Sequence, residues 1–180
     1  MKKVLIVSAS PRKNGNSDIL AQQFYRGAVE AGNQVEQIFV CDLKLGYCIG
    51  CWYCLDPKNG GRCCQKDAMN DILPRMLEAD VIVWSTPVYY YSVTGQMKIF
   101  LDRCNPLWEK LKDKDFYYMV TAHDAEKANL DLAMQSLHGF AICFENIREK
   151  GCIYGGGATE KGEIKNTSAY EEAYRLGTSV

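Results

Sequence analysis

A chain of 180 residues is long enough for one domain that buries roughly 70% of the surface of its extended form. Hydrophobic residues make up 47% and charged residues 24%, and the formal net charge of −1 provides no attraction for nucleic acid or anionic lipid. We therefore expect neither nucleic acid nor a membrane as a partner. The apolar run at residues 4–7 is too short for a signal peptide or a membrane span, so we expect a cytoplasmic protein.

Along the chain, short apolar runs alternate with longer segments of helical periodicity, which is typical of β-α-β units with a parallel sheet. The first run is apolar throughout, as expected of a strand that is buried on both faces. The predicted strands cover residues 4–7, 35–40, 79–87, 116–122 and 151–157. The pattern predicts an α/β fold with a three-layer, doubly wound sheet of five parallel strands, in a single domain over residues 1–180.

Helices are predicted between these strands from apolar residues at helical spacing. Pro74 lies within one of them, which indicates either a kink or a late start. The last helix is predicted to begin at a capping box formed by Ser168 and Glu171. The helices predicted before this last one cover residues 19–31, 69–77 (the helix that contains Pro74), 93–108 and 130–141.

The segment SASPRKNGNS, residues 8–17, joins the first predicted strand to the first helix. Ligands of open α/β sheets bind beside this turn, and the free N–H groups of a helix N-terminus favour a phosphate. No triphosphate-binding P-loop and no G-x-G-x-x-G dinucleotide motif is present. The alternative is a polar turn in which Asn16 or Ser17 only caps the helix. The candidate phosphate-binding side chains are Ser8, Ser10, Arg12, Asn14, Asn16 and Ser17.

The segment STPVYYYSVTG, residues 85–95, follows the third predicted strand at the same edge of the sheet. Pro87 favours an extended path, and three tyrosines in a loop could present flat surfaces to an aromatic ligand. The alternative is that these tyrosines pack against neighbouring loops or a partner subunit. Together, the two loops indicate a ligand that carries one phosphate and a flat ring.

SASPRKNGNS and STPVYYYSVTGQMKIFLDR resemble the corresponding motifs of the flavodoxin-like NADPH-dependent FMN reductases. The resemblance implies a flavodoxin-like FMN-binding domain over nearly the whole chain, with a third flavin-facing loop at residues 122–124. It implies NAD(P)H as the reductant and a homodimer or homotetramer. The residues implied to hold the FMN phosphate are Ser10, Arg12, Asn16 and Ser17. The residues implied to line the isoalloxazine ring are Pro87, Val88, Tyr89, Tyr90 and Ser92.

Nine cysteines are an odd number, which argues against a complete disulfide framework. Five of them crowd a Cys-rich loop at about residues 46–66, which begins with CIGCWYC and resembles the cysteine motif of the iron–sulfur flavoproteins. A ferredoxin-like run would place the next cysteine at position 58, where Lys58 stands instead. The other four, which we expect to be buried small hydrophobes, are Cys41, Cys104, Cys143 and Cys152.

Three interpretations of the Cys-rich loop stay open. The first is a 4Fe-4S cluster held by Cys48, Cys51, Cys54 and Cys63. The second is a structural zinc ion bound by four thiolates. The third is a set of free thiols in a loop that covers the flavin, with Trp52 and Tyr53 as an apolar lid or dimer contact.

The preferred function is an FMN-dependent oxidoreductase that takes hydride from NAD(P)H and passes electrons to a flavin, a quinone or another small acceptor. One alternative is an iron–sulfur flavoprotein that carries electrons from ferredoxin-like donors. Another is a binding module that senses redox state through its thiols. No catalytic acid or base is assigned, although His123 lies near the expected pocket.

Overall fold

The computed structural model describes all residues from 1 to 180. Five parallel strands form one sheet in the order β2-β1-β3-β5-β6, and the short strand β4 pairs antiparallel with the end of β3. The five predicted strands and their parallel arrangement are thus confirmed, whereas β4 was not predicted. The strands are β1 Lys3–Ser8, β2 Gln34–Phe39, β3 Val81–Tyr89, β4 Ser92–Val93, β5 Asp115–Thr121 and β6 Arg148–Gly155.

Helices cover both faces of the sheet, which confirms the three-layer arrangement. One core lies between the sheet and the first and last helices, and it includes Phe24 and Ala173. The other lies beneath the remaining helices, where Trp84 is fully buried with its ring centroid 5.2 Å from that of Phe140. The helices are α1 Asn16–Glu30, α2 Met69–Glu78, α3 Gly95–Asp102, α4 Lys127–Ala141 and α5 Ser168–Thr178.

Three details of the predicted helices are wrong. Helix α2 begins at Met69 and continues through Pro74, so it does not start late. Helix α3 ends at Asp102, and Trp108 lies beyond it with 47% of its surface exposed. The predicted capping box is absent because Ser168 is already the first helical residue, and the hydroxyl of Thr167 at the N-cap donates to the Ile164 carbonyl.

Helices α1 and α5 approach each other so closely that their backbones meet. A Cβ atom added to Gly27 would lie 2.3 Å from the carbonyl oxygen of Tyr174, and one added to Gly177 would lie 2.3 Å from that of Phe24. Heavy atoms cannot approach so closely without displacement. Glycine at these two positions therefore permits the contact between the helices.

The cysteines outside the Cys-rich loop differ in burial. Cys104 is buried as predicted, and burial raises the pKa of its thiol. Cys41 and Cys152 are half-buried, and burial raises the pKa of Cys152 to about 11. Cys143 is exposed in the turn after α4, so the expectation that it fills the core is wrong. None of the five α-helices has the length and hydropathy of a membrane-spanning segment.

Candidate functional site

A cleft of about 200 Å³ opens where the loops after β1, β3, β5 and β6 meet. It lies at the carboxyl ends of the strands, where ligands of such sheets bind. Ser8, Asn14, Tyr90 and Ser92 do not line the cleft; Ser8 is buried at the end of β1 and Asn14 faces a separate surface hollow. The candidate residues that do line it are Ser10, Arg12, Asn16, Ser17, Pro87, Val88 and Tyr89.

The loop between β1 and α1 is held tight by its own hydrogen bonds. The Ser10 hydroxyl donates to the Arg12 carbonyl at 2.8 Å, and the Gly15 N–H donates to the same oxygen at 3.0 Å. A Cβ atom on Gly15 would lie 2.9 Å from that oxygen. Gly15 is therefore required for this loop to turn as it does.

The first turn of α1 presents unpaired backbone donors at the cleft. The N–H groups of Asn16, Ser17 and Asp18 donate to no acceptor within the chain, and the first two of these residues line the cleft. A helix N-terminus also carries about +0.5 of an elementary charge. Because Gly15 occupies the N-cap position and has no side chain to cap the helix, the alternative in which Asn16 or Ser17 caps α1 is wrong.

The side chains of Asn16 and Ser17 join distant loops to the start of α1. Asn16 Nδ2 donates to the carbonyl oxygens of Ala158 at 3.1 Å and Glu160 at 3.0 Å, and its Oδ1 accepts from Gly162 N–H. Ser17 Oγ lies 2.6 Å from Thr121 Oγ1. These bonds fix the loop after β6 and the end of β5 against the cleft.

The loop after β3 is a tight hairpin. Val88 pairs with Val93 and Tyr89 with Ser92, so Tyr90 and Tyr91 form the turn, with φ angles of 49° and 59°. Two consecutive positive φ angles are the geometry of a type I′ turn, which glycine and asparagine usually supply. Tyr90 is fully exposed, which contradicts its packing against neighbouring loops of the chain, while Tyr89 reaches the cleft.

The cleft walls formed by the loops after β5 and β6 were predicted only in part. Ala122 and His123, which line the cleft, belong to the implied third loop, but Asp124 of that loop does not line it. A hydrogen bond from the Glu126 N–H lowers the pKa of the Asp124 carboxyl. His123 Nδ1 is hydrogen-bonded to Thr159 Oγ1. The glycines of GCIYGGG were an available signal for the loop after β6, because Gly156 packs closely against the 122–124 loop. The lining residues missed entirely are Pro11, Thr121, Ala158 and Thr159.

A second cavity, of about 280 Å³, is surrounded by the Cys-rich loop and the segment that follows α3. All five cysteines of the loop line it, as do the polar side chains of Arg103 and Asn105. Asn105 Nδ2 donates to Cys54 Sγ at 3.2 Å, and Arg103 Nη2 donates to Cys63 Sγ at 3.4 Å. The cavity therefore combines sulfur ligands with hydrogen-bond donors aimed at two of them.

The thiols are distributed around this cavity. Cys51 Sγ and Cys64 Sγ lie 3.5 Å apart, and the pKa of Cys51 is lowered, first by a hydrogen bond from the Tyr53 backbone and then by Cys64. Their mutual hydrogen bond raises the pKa of Cys64. No three Cys, His, Asp or Glu side chains are placed to hold a single metal ion. A zinc ion needs all its sulfurs at about 2.3 Å from one point, whereas the irons of a cluster spread their thiolate ligands further apart.

The strand order, the unpaired helix N-terminus and the cleft beside it define a flavodoxin-like α/β protein of the kind that binds a mononucleotide. The chain belongs to the NADPH-dependent FMN reductase family, whose sequence profile matches residues 2–143. It is an FMN-containing oxidoreductase that uses NAD(P)H, as the resemblance of its two loops implied.

One known relative and two solved structures of the same fold align with nearly the whole chain. An iron-sulfur flavoprotein of Methanocaldococcus jannaschii is 32% identical over an alignment of 186 positions, which covers 99% of this chain and 95% of the relative. An azoreductase from Bacillus anthracis superposes with a TM-score of 0.76 at 17% identity, over 100% of both chains. An FMN-dependent NADH-azoreductase from Bacillus anthracis, in complex with FMN, superposes with a TM-score of 0.73 at 15% identity, over 98% of each chain. The two structures support the fold.

Proposed function

We propose that FMN binds with its phosphate at the start of α1 and its flat ring against the β3–β4 hairpin, and that electrons from NAD(P)H pass to a small acceptor. A quinone, a second flavin, or an azo or nitro compound fits this role. The observation that carries the proposal is the row of unpaired N–H groups at residues 16–18, of which Asn16 and Ser17 line the cleft together with Arg12 and residues 87–89.

The donor set fits a phosphate. Three backbone N–H groups, the helix dipole and the Arg12 guanidinium all favour a dianion at this place. The side chains of Asn16 and Ser17 are already used to join loops, so in this proposal they contribute their backbone N–H groups and shape the cleft. Ser10 plays a similar part by holding the Arg12 backbone in place.

The cleft is smaller than the roughly 300–1,000 Å³ of typical ligand pockets. In this proposal the phosphate end therefore fills the cleft, while the ring lies at its mouth against Pro87, Val88 and Tyr89. When bound, FMN supplies the hydride acceptor of the reaction. The exposed aromatic rings of Tyr90 and Tyr91 then provide surface beside the ring. We extend the proposal to a single cytoplasmic FMN-binding domain that assembles as a homodimer or homotetramer across these exposed aromatic residues.

The first experiment is an absorption spectrum of protein purified without oxygen. A two-peaked flavin spectrum that is bleached by NADH or NADPH, and restored by a quinone or azo compound, is the expected result. Protein that stays colourless and binds no added FMN would contradict the proposed site. Flavin that is unchanged by either nicotinamide would contradict the electron donor.

A Gly15→Ala variant tests the position of the phosphate. Its Cβ atom would press on the Arg12 carbonyl and the Ser10 hydroxyl, at 2.9 and 3.0 Å, and would push the loop away from the helix N-terminus. We expect the Kd for FMN to rise at least tenfold, or about 1.4 kcal/mol, in fluorescence-quenching titrations of the apoprotein. Gly139→Ala, on the exposed side of α4 with no atom within 4 Å of the new Cβ, is the control. Equal affinity in both variants would place the phosphate elsewhere.

A second candidate function is an electron carrier that holds FMN together with an iron–sulfur cluster. The observation that favours it is the cavity with five cysteines, and the iron-sulfur flavoprotein that is 32% identical along the chain supports it. We propose Cys48, Cys51, Cys54 and Cys63 as the ligands, and a cluster of this kind would supply one-electron transfer. Broad absorbance bleached by dithionite, with about four irons per chain as in a [4Fe–4S] centre, is the expected result. Iron-free protein after anaerobic purification and reconstitution would refute this candidate.

A further inference from the structure

Arg103 is a charged side chain that the fold buries almost completely. Its side chain is 1% exposed, although it stands at the end of α3 beside a surface loop. Burying a guanidinium costs several kcal/mol unless a counter-ion and hydrogen-bond acceptors surround it. Asp67 provides the counter-ion in a two-pronged contact, with Nη1–Oδ2 at 2.7 Å and Nη2–Oδ1 at 2.8 Å. Because burying this charge is so costly, we expect Arg103 to have a role inside the Cys-rich loop and not only at its surface.

Further hydrogen bonds from Arg103 Nη1 join the two ends of the Cys-rich loop. Nη1 donates to the Gly46 carbonyl at 2.7 Å, where the loop begins, and to Gln65 Oε1 at 3.3 Å, where it ends. Gln65 reinforces this closure, because its Nε2 donates to the Tyr47 carbonyl at 2.9 Å. Both ends of the loop are therefore held at a single guanidinium.

Arg103 also distinguishes between two adjacent cysteines. Its Nη2 donates to Cys63 Sγ at 3.4 Å, and the Cys63 backbone is held on both sides by the Asn70 side chain, at 3.0 and 3.3 Å. Cys64 is exposed, its sulfur lies 3.5 Å from that of Cys51, and it accepts no hydrogen bond from Arg103. Five thiols line the cavity, one more than a four-thiolate centre uses. The fixed sulfur is that of Cys63, and the spare one is that of Cys64.

We infer that the Arg103–Asp67 pair is the positioning element of the cysteine cavity: it sets Cys63 as the fourth thiolate ligand and donates a charge-assisted hydrogen bond to it. The inference rests on the second candidate function. Arg103 is the one cation that lines the cavity, and it faces a centre whose thiolates are all negative. Hydrogen bonds and positive charge at a ligating sulfur stabilise the reduced centre and raise its potential. Arg103 therefore acts through Cys63 and tunes the potential.

The test compares anaerobically prepared holoproteins by iron content and by midpoint potential, read from the EPR signal during a dye-mediated titration. The double variant Arg103→Gln/Asp67→Asn removes both charges and leaves neither ion unpaired. Arg103→Lys keeps the charge but loses the two-pronged contact. The double variant Arg26→Gln/Glu30→Gln, which removes both charges of an exposed ion pair on α1, is the matched control. We expect a shift of the midpoint to lower potential in the double variant, a smaller shift in Arg103→Lys, and none in the control.

Two serine variants test the choice of ligand. Cys63→Ser is expected to lose most of its iron, and Cys64→Ser to retain it. Iron loss in Cys64→Ser alone would overturn the inference, as would unchanged iron content and potential in a folded Arg103→Lys protein. A wild-type protein that binds no iron would overturn the second candidate function as well. A wild-type protein that does bind iron, with unchanged Arg103 variants, would overturn the positioning role alone.

Discussion

An Asp67→Ala variant is expected to lose about 3–5 kcal/mol of its free energy of unfolding, because it leaves the buried Arg103 guanidinium without its counter-ion. This is a large share of the roughly 5–15 kcal/mol by which domains are stable. Urea unfolding of the apoprotein, followed by circular dichroism, measures the loss. Asp71→Ala, on an exposed carboxylate of α2, is the control and is expected to cost less than about 1 kcal/mol. Equal losses in the two variants would contradict this role for Asp67.

The effect of Asp67 should depend on pH in a defined direction. Burial alone would raise the pKa of its carboxyl, but the hydrogen bonds from Arg103 and the Met69 N–H outweigh burial and lower it. A carboxyl whose folded pKa is lowered contributes its stability above its unfolded pKa of about 3.9 and loses it as the pH falls further. The difference between the wild type and Asp67→Ala should therefore be full at pH 7 and shrink below about pH 4.

A Gly27→Ala variant is expected to lose about 2–3 kcal/mol of stability, even though alanine has the better helix propensity by about 1 kcal/mol. The new methyl group would meet the Tyr174 carbonyl at 2.3 Å, so α1 and α5 must move apart along their whole contact. Thermal unfolding with calorimetry measures the loss.

The same measurement on Gly139→Ala supplies the control, because that glycine lies in the last turn of α4 with open space around it. Here alanine only removes backbone freedom from the unfolded chain, and a gain of about 0.5–1 kcal/mol is expected. If Gly27→Ala proved as stable as Gly139→Ala, the close backbone contact between α1 and α5 would be wrong.

Much of the fold could be predicted because buried parallel strands are apolar on both faces. The uninterrupted apolar run at residues 4–7 is enough by itself to predict a buried strand, and residues 81–84 show the same pattern. Strand β4 escaped prediction because two residues have no periodicity, and because the turn before it uses Tyr90 and Tyr91 where glycine or asparagine is usual. The end of α3 escaped because apolar spacing continues to Trp108 after the helix has stopped.

Residue patterns alone could predict the candidate site only in the loops after β1 and β3, since the carboxyl ends of neighbouring strands meet at one edge of a sheet. The loop after β5 was implied by the family resemblance, and its Ala122 and His123 line the cleft. Ala158 lies in the cleft wall, where its carbonyl accepts a hydrogen bond from the side chain of Asn16, 142 residues earlier in the sequence. Arg103 and Asp67 are 36 residues apart, and neither position carries a local pattern that indicates the other. Contacts of this range arise from tertiary packing, which periodicity does not encode.

The spacing between Cys54 and Cys63 appeared too wide for a ferredoxin-like motif, and the closure of the loop at Arg103 explains why sequence distance is a poor guide there. Cys63 is fixed from the side of α2 and α3, whereas Cys54 is fixed separately by Asn105. Neither sulfur accepts its hydrogen bond from the residues that connect them. Insertions or deletions within 56–61 would lengthen or shorten an outer bulge while both sulfurs kept their places, so length variation in this stretch should be compatible with an unchanged cavity.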